Sequence, residues 1–292
     1  MFKSKITQNS LKMLHIQTSC VNNPEFIEMQ DLLFKKFLID DYQFTVFNHG
    51  KDYPDCSNYY DVSNDYKNKI RTTCDKLNIE CIDVIDEPWY KGNPSAGTAS
   101  AMNFILDNYH KVNPGKYFVI DSDMFLVNPM STSKYDEYDA VYRTCVRNEY
   151  RYMWNGIYYF NTDSMKNLDL LNWNQFQYTE TNPHPGYGLY TDTGGLTYPW
   201  VHEEKPNHNT KEIDMLESCG WNRLDAPEGF PENLLDFCDS DPRRYPNGRY
   251  FSEIYEDVIF HYRAGGNWEG RSKGIHDHTK NNLMKCLSDL VH

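Results

Sequence analysis

The chain has 292 residues, enough for one large domain or two small ones with a substantial core. Hydrophobic residues make up 39% and the net charge is −13, which excludes a disordered chain and a general nucleic-acid binder, the latter needing a basic footprint. An acidic balance leaves a nucleotide ligand open, because a metal ion can supply local positive charge.

Aromatic content reaches 15%, with 23 Tyr. Tyrosine-rich surfaces bind sugars or bases, and a tyrosine-rich core and rim is the plainer account. The first twenty residues hold no apolar run followed by a small-residue cleavage site, so no signal peptide is expected. No stretch reaches the length of a membrane span. Cys20, Cys56, Cys74, Cys81, Cys145, Cys219, Cys238 and Cys286 are scattered without a C-x-x-C pair. Reduced thiols in a cytoplasmic setting are expected, with a disulfide framework as the alternative.

Residues 12–18, KMLHIQT, read as a first strand. After Pro24, the apolar positions Phe26, Met29, Leu33 and Phe37 recur every three or four residues and predict a helix. YQFTVFN, 42–48, is a second strand closed by His49 and Gly50. A helix over about 65–77 leads to a third strand, IECIDVI, 79–85. Pro94 opens a segment that suits a helix from about Thr98, and KYFVI, 116–120, is a fourth strand.

The second half reads less regularly. Strands are predicted over 138–146 and 153–162, then a short helix over 164–173 and a loop-rich stretch over 182–200. TKEIDMLESCGW, 210–221, reads as a helix, and EDVIFHYRAGGNW, 256–268, as a strand running into a glycine turn. In the last segment Leu283, Leu287, Leu290 and Val291 share one face, which suits a helix packed on the body; membrane docking is the minor reading.

Strand–helix alternation predicts an α/β fold with a mostly parallel sheet flanked by helices. Right-handed crossovers bring the carboxyl ends of the strands to one edge, where ligands bind. Gln17, Thr18 and Ser19 would meet there with Asn48, His49 and Gly50, and with Asp121, Ser122 and Asp123. The last three interrupt an apolar run, YFVIDSDMFLV. Two carboxylates in such a context repel each other and cost desolvation unless a cation neutralises them. A divalent ion is the simplest partner. Phosphatases of the haloacid-dehalogenase type also place D-x-D after a strand, but usually the first strand, with Thr or Val where Phe125 stands here.

From this point the chain resembles the glycosyltransferase-A superfamily. AGTASAMNFIL followed by YFVIDSDMFLV is similar to the helix-then-D-x-D segment of such enzymes. WNGIYYFNT resembles their next strand, and IFHYRAGGNW their C-terminal His-x-x-Gly…Trp segment. The resemblance implies a single domain over 1–292, with about 10–130 binding a nucleotide and about 131–292 shaping an acceptor site. It also implies metal-dependent transfer of a hexose from a nucleotide sugar, of the UDP-sugar kind, to a glycan or other hydroxyl acceptor. Asp121, Asp123 and His261 would hold Mn2+ or Mg2+, with His261 as a packed strand-end histidine on the other reading. Gln17, Thr18, Asn48, Asp121, Ser122, Asp123 and Arg263 would meet the nucleotide. The chain departs from the pattern at Gly265, one residue late, and at Asn267, where a Lys-Pro is expected. Arg263 or Lys273 would then supply the phosphate-binding cation.

An inverting transfer needs a carboxylate to deprotonate the acceptor. Asp192 sits in a glycine-rich loop; Asp214, preferred here, sits with Glu212 at the start of the helix expected over 210–221, where Glu212 would also serve as an ordinary first-turn acid. Trp154, Tyr187, Trp200 and Trp268 would stack on sugars or simply be buried. Arg143, Arg147 and Arg151, spaced by four, read first as a charged helical face and second as a phosphate-facing group. A nucleotidyltransferase is the alternative enzyme, though TSCVNNPEF after the first strand lacks its glycine-rich loop. A non-catalytic nucleotide or carbohydrate binder is the alternative of another class.

Overall fold

A computed structural model describes residues 13–50, 65–85, 94–147, 150–175, 191–217, 220–244, 250–263, 265 and 273–292. Its first half follows the alternation: β1 (Leu14–Cys20), α1 (Pro24–Phe37), β2 (Tyr42–Asn48), α2 (Tyr66–Leu77), β3 (Glu80–Asp83), α3 (Pro94–Ile105) and β4 (Lys116–Ile120). Helix α3 starts four residues earlier than expected, since proline is favoured in a first turn where its missing N–H costs nothing. After β4 come β5 (Met124–Leu126), β6 (Ala140–Arg147), β7 (Tyr150–Asn161), β8 (Thr210–Glu212), β9 (Met215–Leu216), α4 (Glu232–Ser240), β10 (Glu253–Tyr255), β11 (Ile259–His261) and α5 (Lys273–Val291).

A seven-stranded sheet runs β3-β2-β1-β4-β7-β6-β8. The pairs among β3, β2, β1 and β4 are parallel, β7 is antiparallel to both β4 and β6, and β8 is parallel to β6. The sheet is therefore mostly parallel and flanked by helices. Its strands are apolar on both faces, as a doubly covered sheet requires. In β4, Phe118 and Ile120 enter one core cluster while Val119 enters the cluster on the opposite face.

A second sheet, β5-β11-β10-β9, is antiparallel throughout. Helix α1 lies between the two sheets. Ile27 and Phe34 pack on the large sheet, and Phe26, Met29 and Leu33 pack with Phe125 and Phe260 of the small one and with Leu283 and Leu287 of α5. That double duty explains why so much of its surface is apolar. The chain's last helix is likewise a packed helix of the body, tied to α1 through Lys280, whose Nζ donates to Asn23 Oδ1 at 2.9 Å.

The structure corrects several expectations. The helix over 210–221 is replaced by β8 and β9. The helix over 164–173 shrinks to one 3-10 turn, Leu168–Leu170. Arg143 and Arg147 lie on β6 and Arg151 on β7, so they form no helical face. Among the described residues no helix is long and apolar enough to cross a membrane. Cys20, Cys74, Cys81, Cys145, Cys238 and Cys286 are free thiols, and Cys56 and Cys219 lie outside the described residues.

Candidate metal centre and its cavity

Strand β4 sits where the sheet changes direction, between parallel β1 and antiparallel β7. Its carboxyl end releases the chain into the D-x-D turn. Asp121 N–H donates to Gly156 O of β7 at 2.8 Å, and Met124 N–H donates to Asp121 O at 3.1 Å. Gln30, fully buried on α1, donates its Nε2 to Asp121 O and to Met124 O, both at 2.9 Å. The turn is thus tied to sheet and helix before its carboxylates make any contact.

Strand β5 then leaves the large sheet and pairs with β11. The antiparallel register places His261 opposite Met124, and Tyr262 N–H donates to Asp123 O at 2.9 Å. One ligand atom each from Asp121, Asp123 and His261 lies within 4.8 Å of the others. His261 Nε2 is 3.4 Å from Asp123 Oδ1, and its Nδ1 is 2.7 Å from Oε2 of Glu253, its partner across the β10–β11 ladder. Asp123 Oδ2 accepts the Gly265 N–H at 2.7 Å. A Cβ on Gly265 would lie 2.7 Å from Asp123 Cβ, so only glycine admits this approach.

The electrostatics follow from burial and proximity. Burial, and then the charge of Asp123, push Asp121 up to about 7. Burial alone would raise Asp123 and Glu253 too, but His261 between them outweighs it and holds both below the usual carboxylate range. Burial works against a charged His261, yet Asp123 and Glu253 together lift it to about 10. The imidazolium therefore offsets one charge of a buried acidic cluster, where a divalent cation would offset two. Two carboxylates and one imidazole are a hard-to-borderline donor set that fits Mn2+ or Mg2+.

These groups open on a cavity of about 620 Å3, within the range of small-molecule sites. Ser19, Asn22, His49, Ser95 and Thr98 line it from the first half. Arg143, Arg147, Trp154, Asn155, Asp192 and Arg263 line it from the second. Trp154 stacks on Tyr255 with ring centroids 5.6 Å apart and planes 18° from parallel, and its ring lies 5.6 Å from that of His261. The indole lies against Gly156, where a Cβ would come within 2.3 Å of it.

Of the residues expected to hold the metal, meet the nucleotide or take the acceptor proton, Asp121, Ser122, Asp123, His261, Arg263 and Asp192 line this cavity, and Gln17, Thr18, Asn48 and Asp214 do not. Gln17 points inward and accepts from His110 Nε2 at 2.7 Å. Thr18 is fully buried. Asn48 braces the strand end, donating to Lys67 O at 2.9 Å and accepting from Gly50 N–H at 3.1 Å. Neighbouring Ser19 and His49 take the places expected of Thr18 and Asn48, because successive strand residues face opposite sides.

Asp214 does not line the cavity; its side chain is 81% exposed and its backbone N–H is bound by Glu256 Oε1 at 2.9 Å. Glu212 is a cross-strand clasp, accepting from Thr144 N–H and Oγ1 at 2.6 Å each. Asp192 does face the cavity, 3.5 Å from Arg147. Arg143 and Arg147 point into it as well, the second of the two sequence readings, whereas Arg151 is exposed on β7 and does not line it. Trp200 is fully buried in the core. Tyr187, Trp268 and Asn267 lie outside the described residues, as does the side chain of Lys273.

Sequence reasoning missed Glu253 and Gln30. The first had a usable signal: EIYEDVIFH, folded as a hairpin about Glu256 and Asp257, pairs Glu253 with His261. Gln30 had none, since a polar residue on a helix reads as a surface one.

No family model matches the chain, and no curated protein matches it. Among solved structures it is similar to that of the galactosyltransferase LgtC in complex with donor and acceptor sugar analogs, with 12% identity over 95% of this chain and 96% of that one and a TM-score of 0.45.

Proposed function

We propose that the chain is a metal-dependent glycosyltransferase that moves a hexose from a nucleotide sugar, of the UDP-sugar kind, to a hydroxyl acceptor. One observation carries the reading: a two-carboxylate, one-imidazole cluster at the switch point of a mostly parallel sheet, open to a ligand-sized cavity. The sequence resemblance to the glycosyltransferase-A superfamily points the same way.

Asp121, Asp123 and His261 would hold Mn2+ or Mg2+, which acts as a Lewis acid on the charge developing at a diphosphate leaving group. The chain's own groups do the rest. Residues of the first half, including Ser19, His49 and Ser122, bind the nucleotide, and those of the second shape the acceptor site. Arg263, beside His261, meets a phosphate oxygen through a charge-assisted hydrogen bond. Asp192, near enough to Asp121 to raise its pKa, receives the acceptor proton. Trp154, backed by the buried Tyr255, offers an aromatic face to a sugar ring. Scattered free thiols suit a reducing, cytoplasmic setting.

A thermal-stability screen of nucleotide sugars with and without Mn2+ tests the reading. At a hundred times its dissociation constant a true donor stabilises the fold by about 2.7 kcal/mol, and only with metal. Slow metal-dependent hydrolysis of the same donor separates an enzyme from a non-catalytic binder. Equal stabilisation by nucleotide sugars with and without metal would remove the metal-bridged reading.

A further inference from the structure

Glu253 is a buried acid, 9% exposed, whose carboxylate meets Tyr255, His261 and Arg263. Its Oε2 accepts from the Tyr255 hydroxyl at 2.9 Å and faces His261 Nδ1 at 2.7 Å. Its Oε1 is 3.8 Å from Nε of Arg263. A carboxylate withdrawn from water to this extent costs several kcal/mol unless it is paired and hydrogen-bonded. Here the pairing has a direction. With Nδ1–H given to Glu253, the other ring nitrogen, Nε2, is the one turned toward Asp123.

We infer that Glu253 is the positioning residue of this centre: one carboxylate fixes the tautomer and ring plane of His261 and holds the Arg263 guanidinium on the cavity wall beside it. The inference rests on the proposed metal-binding role of Asp121, Asp123 and His261. Its physical basis is general. A ligating histidine gives its second N–H to a carboxylate or carbonyl, which sets the ring and raises its basicity, and loss of that partner weakens metal binding by about 10–100-fold. The added element is the second oxygen. Because Oε1 faces Arg263, the metal site and the phosphate-facing cation share one support, and a change at residue 253 reaches both.

The variants Glu253→Ala and Glu253→Gln test this. Free Mn2+ is titrated into each protein without nucleotide and followed by electron paramagnetic resonance and calorimetry, and UDP is then titrated at saturating Mn2+. Far-ultraviolet circular dichroism and apo-protein melting report the fold. Glu253→Ala should raise the Mn2+ dissociation constant by about 10–100-fold, weaken UDP even at saturating metal, and diminish the nitrogen coupling of the Mn2+ signal as the ring loses its orientation. Glu253→Gln keeps an acceptor oxygen for Nδ1–H but not the charge that faces Arg263, so it should weaken both Mn2+ and UDP, each by about three- to tenfold.

A folded Glu253→Ala variant with Mn2+ affinity and nitrogen coupling equal to wild type overturns the inference. If that variant does not fold, Glu253→Gln decides: wild-type affinity for both Mn2+ and UDP overturns it equally. A wild-type chain that binds no Mn2+ removes the proposed function and the inference together, whereas variants that match a metal-binding wild type remove the inference alone.

Discussion

The strands that bring Ser19, His49 and Asp121 to the cavity lie in parallel register with a helix between successive strands, whereas Arg143 and Trp154 arrive on the antiparallel β6–β7 pair and His261 on β11, antiparallel to the distant β5. On the first side each element is set by its own periodicity and by a short crossover. On the second, β8 has only three residues and β9 two, and each exists because another strand is there to receive it. The two sides therefore should respond differently to perturbation. A local change on the first side should be felt locally, and a change at a contact between distant segments should be felt at the site.

The largest effect is expected where the two sides meet. Asp123→Asn keeps an oxygen for the Gly265 N–H but removes the charge shared with His261. Mn2+-dependent UDP binding should fall by roughly 100-fold or more while the fold persists. Calorimetry and circular dichroism check both halves of that statement, and undiminished affinity would detach the D-x-D from the ligand.

Next come two glycines of the second half, both with positive φ, 96° at Gly194 and 76° at Gly229. A Cβ at Gly194 would meet the Met153 carbonyl oxygen at 2.1 Å, but at Gly229 it would meet nothing within 4 Å. Gly194→Ala should cost about 2–3 kcal/mol and Gly229→Ala about 1 kcal/mol, the left-handed penalty alone. Urea midpoints separate them. Equal losses would mean that distant backbone contact matters no more than local conformation.

The first side offers a pH test. His110 is 1% exposed, and burial lowers its pKa to about 3. The unfolded chain takes up that proton near 6.5, so the contribution of neutral His110 is complete above about 6.5 and lost as the pH falls toward 3. Between pH 7 and pH 5 wild-type stability should drop by about 2 kcal/mol more than that of His110→Gln. Parallel curves for the two proteins would show that His110 does not stay neutral in the fold.

The smallest effect concerns the hairpin that carries Glu253 and His261. Its turn residues Glu256 and Asp257 have φ of 50° and 64°. Glu256 is held by its carboxylate, which takes the Asp214 N–H at 2.9 Å and Lys134 at 2.6 Å. Asp257 is exposed. Asp257→Gly should therefore raise the melting temperature, through about 1 kcal/mol of relieved strain, without changing Mn2+ affinity.

What could be read in the sequence follows the same division. Strand β4 was legible because burial on both faces makes Tyr117 to Ile120 continuously apolar up to the acids. Asp121 and Asp123 were legible because unpaired acids in such a run demand a cation, whereas His261 was suggested only by the resemblance of the segment IFHYRAGGNW. Thr18 and Asn48 were one residue off because a strand's facing flips at each step. Arg143 and Arg147 misled for a related reason: a spacing of four puts two residues on one face in a helix and in a strand alike. In residues 210–221, apolar Ile213, Met215 and Leu216 fit a helical stripe, while the strand pairing that decides their fate, to Ala140–Tyr142 and to Ile254 and Tyr255, lies elsewhere in the chain.

The bond from Gly265 N–H to Asp123 spans 142 positions. During synthesis at about 5–20 residues per second, β4 and its helices can be complete for roughly 7–30 s before that segment is made. In that interval β5 has an unpaired edge, and Asp121 and Asp123 stand without their histidine. The small sheet closes only once β11 has emerged, and α5, which fastens Asn23 and Glu25 through Lys280, comes later still. A nascent chain thus carries the strands that position Asp121 and Asp123 well before it carries His261, so a chain cut short before β11 would lack the third member of the cluster.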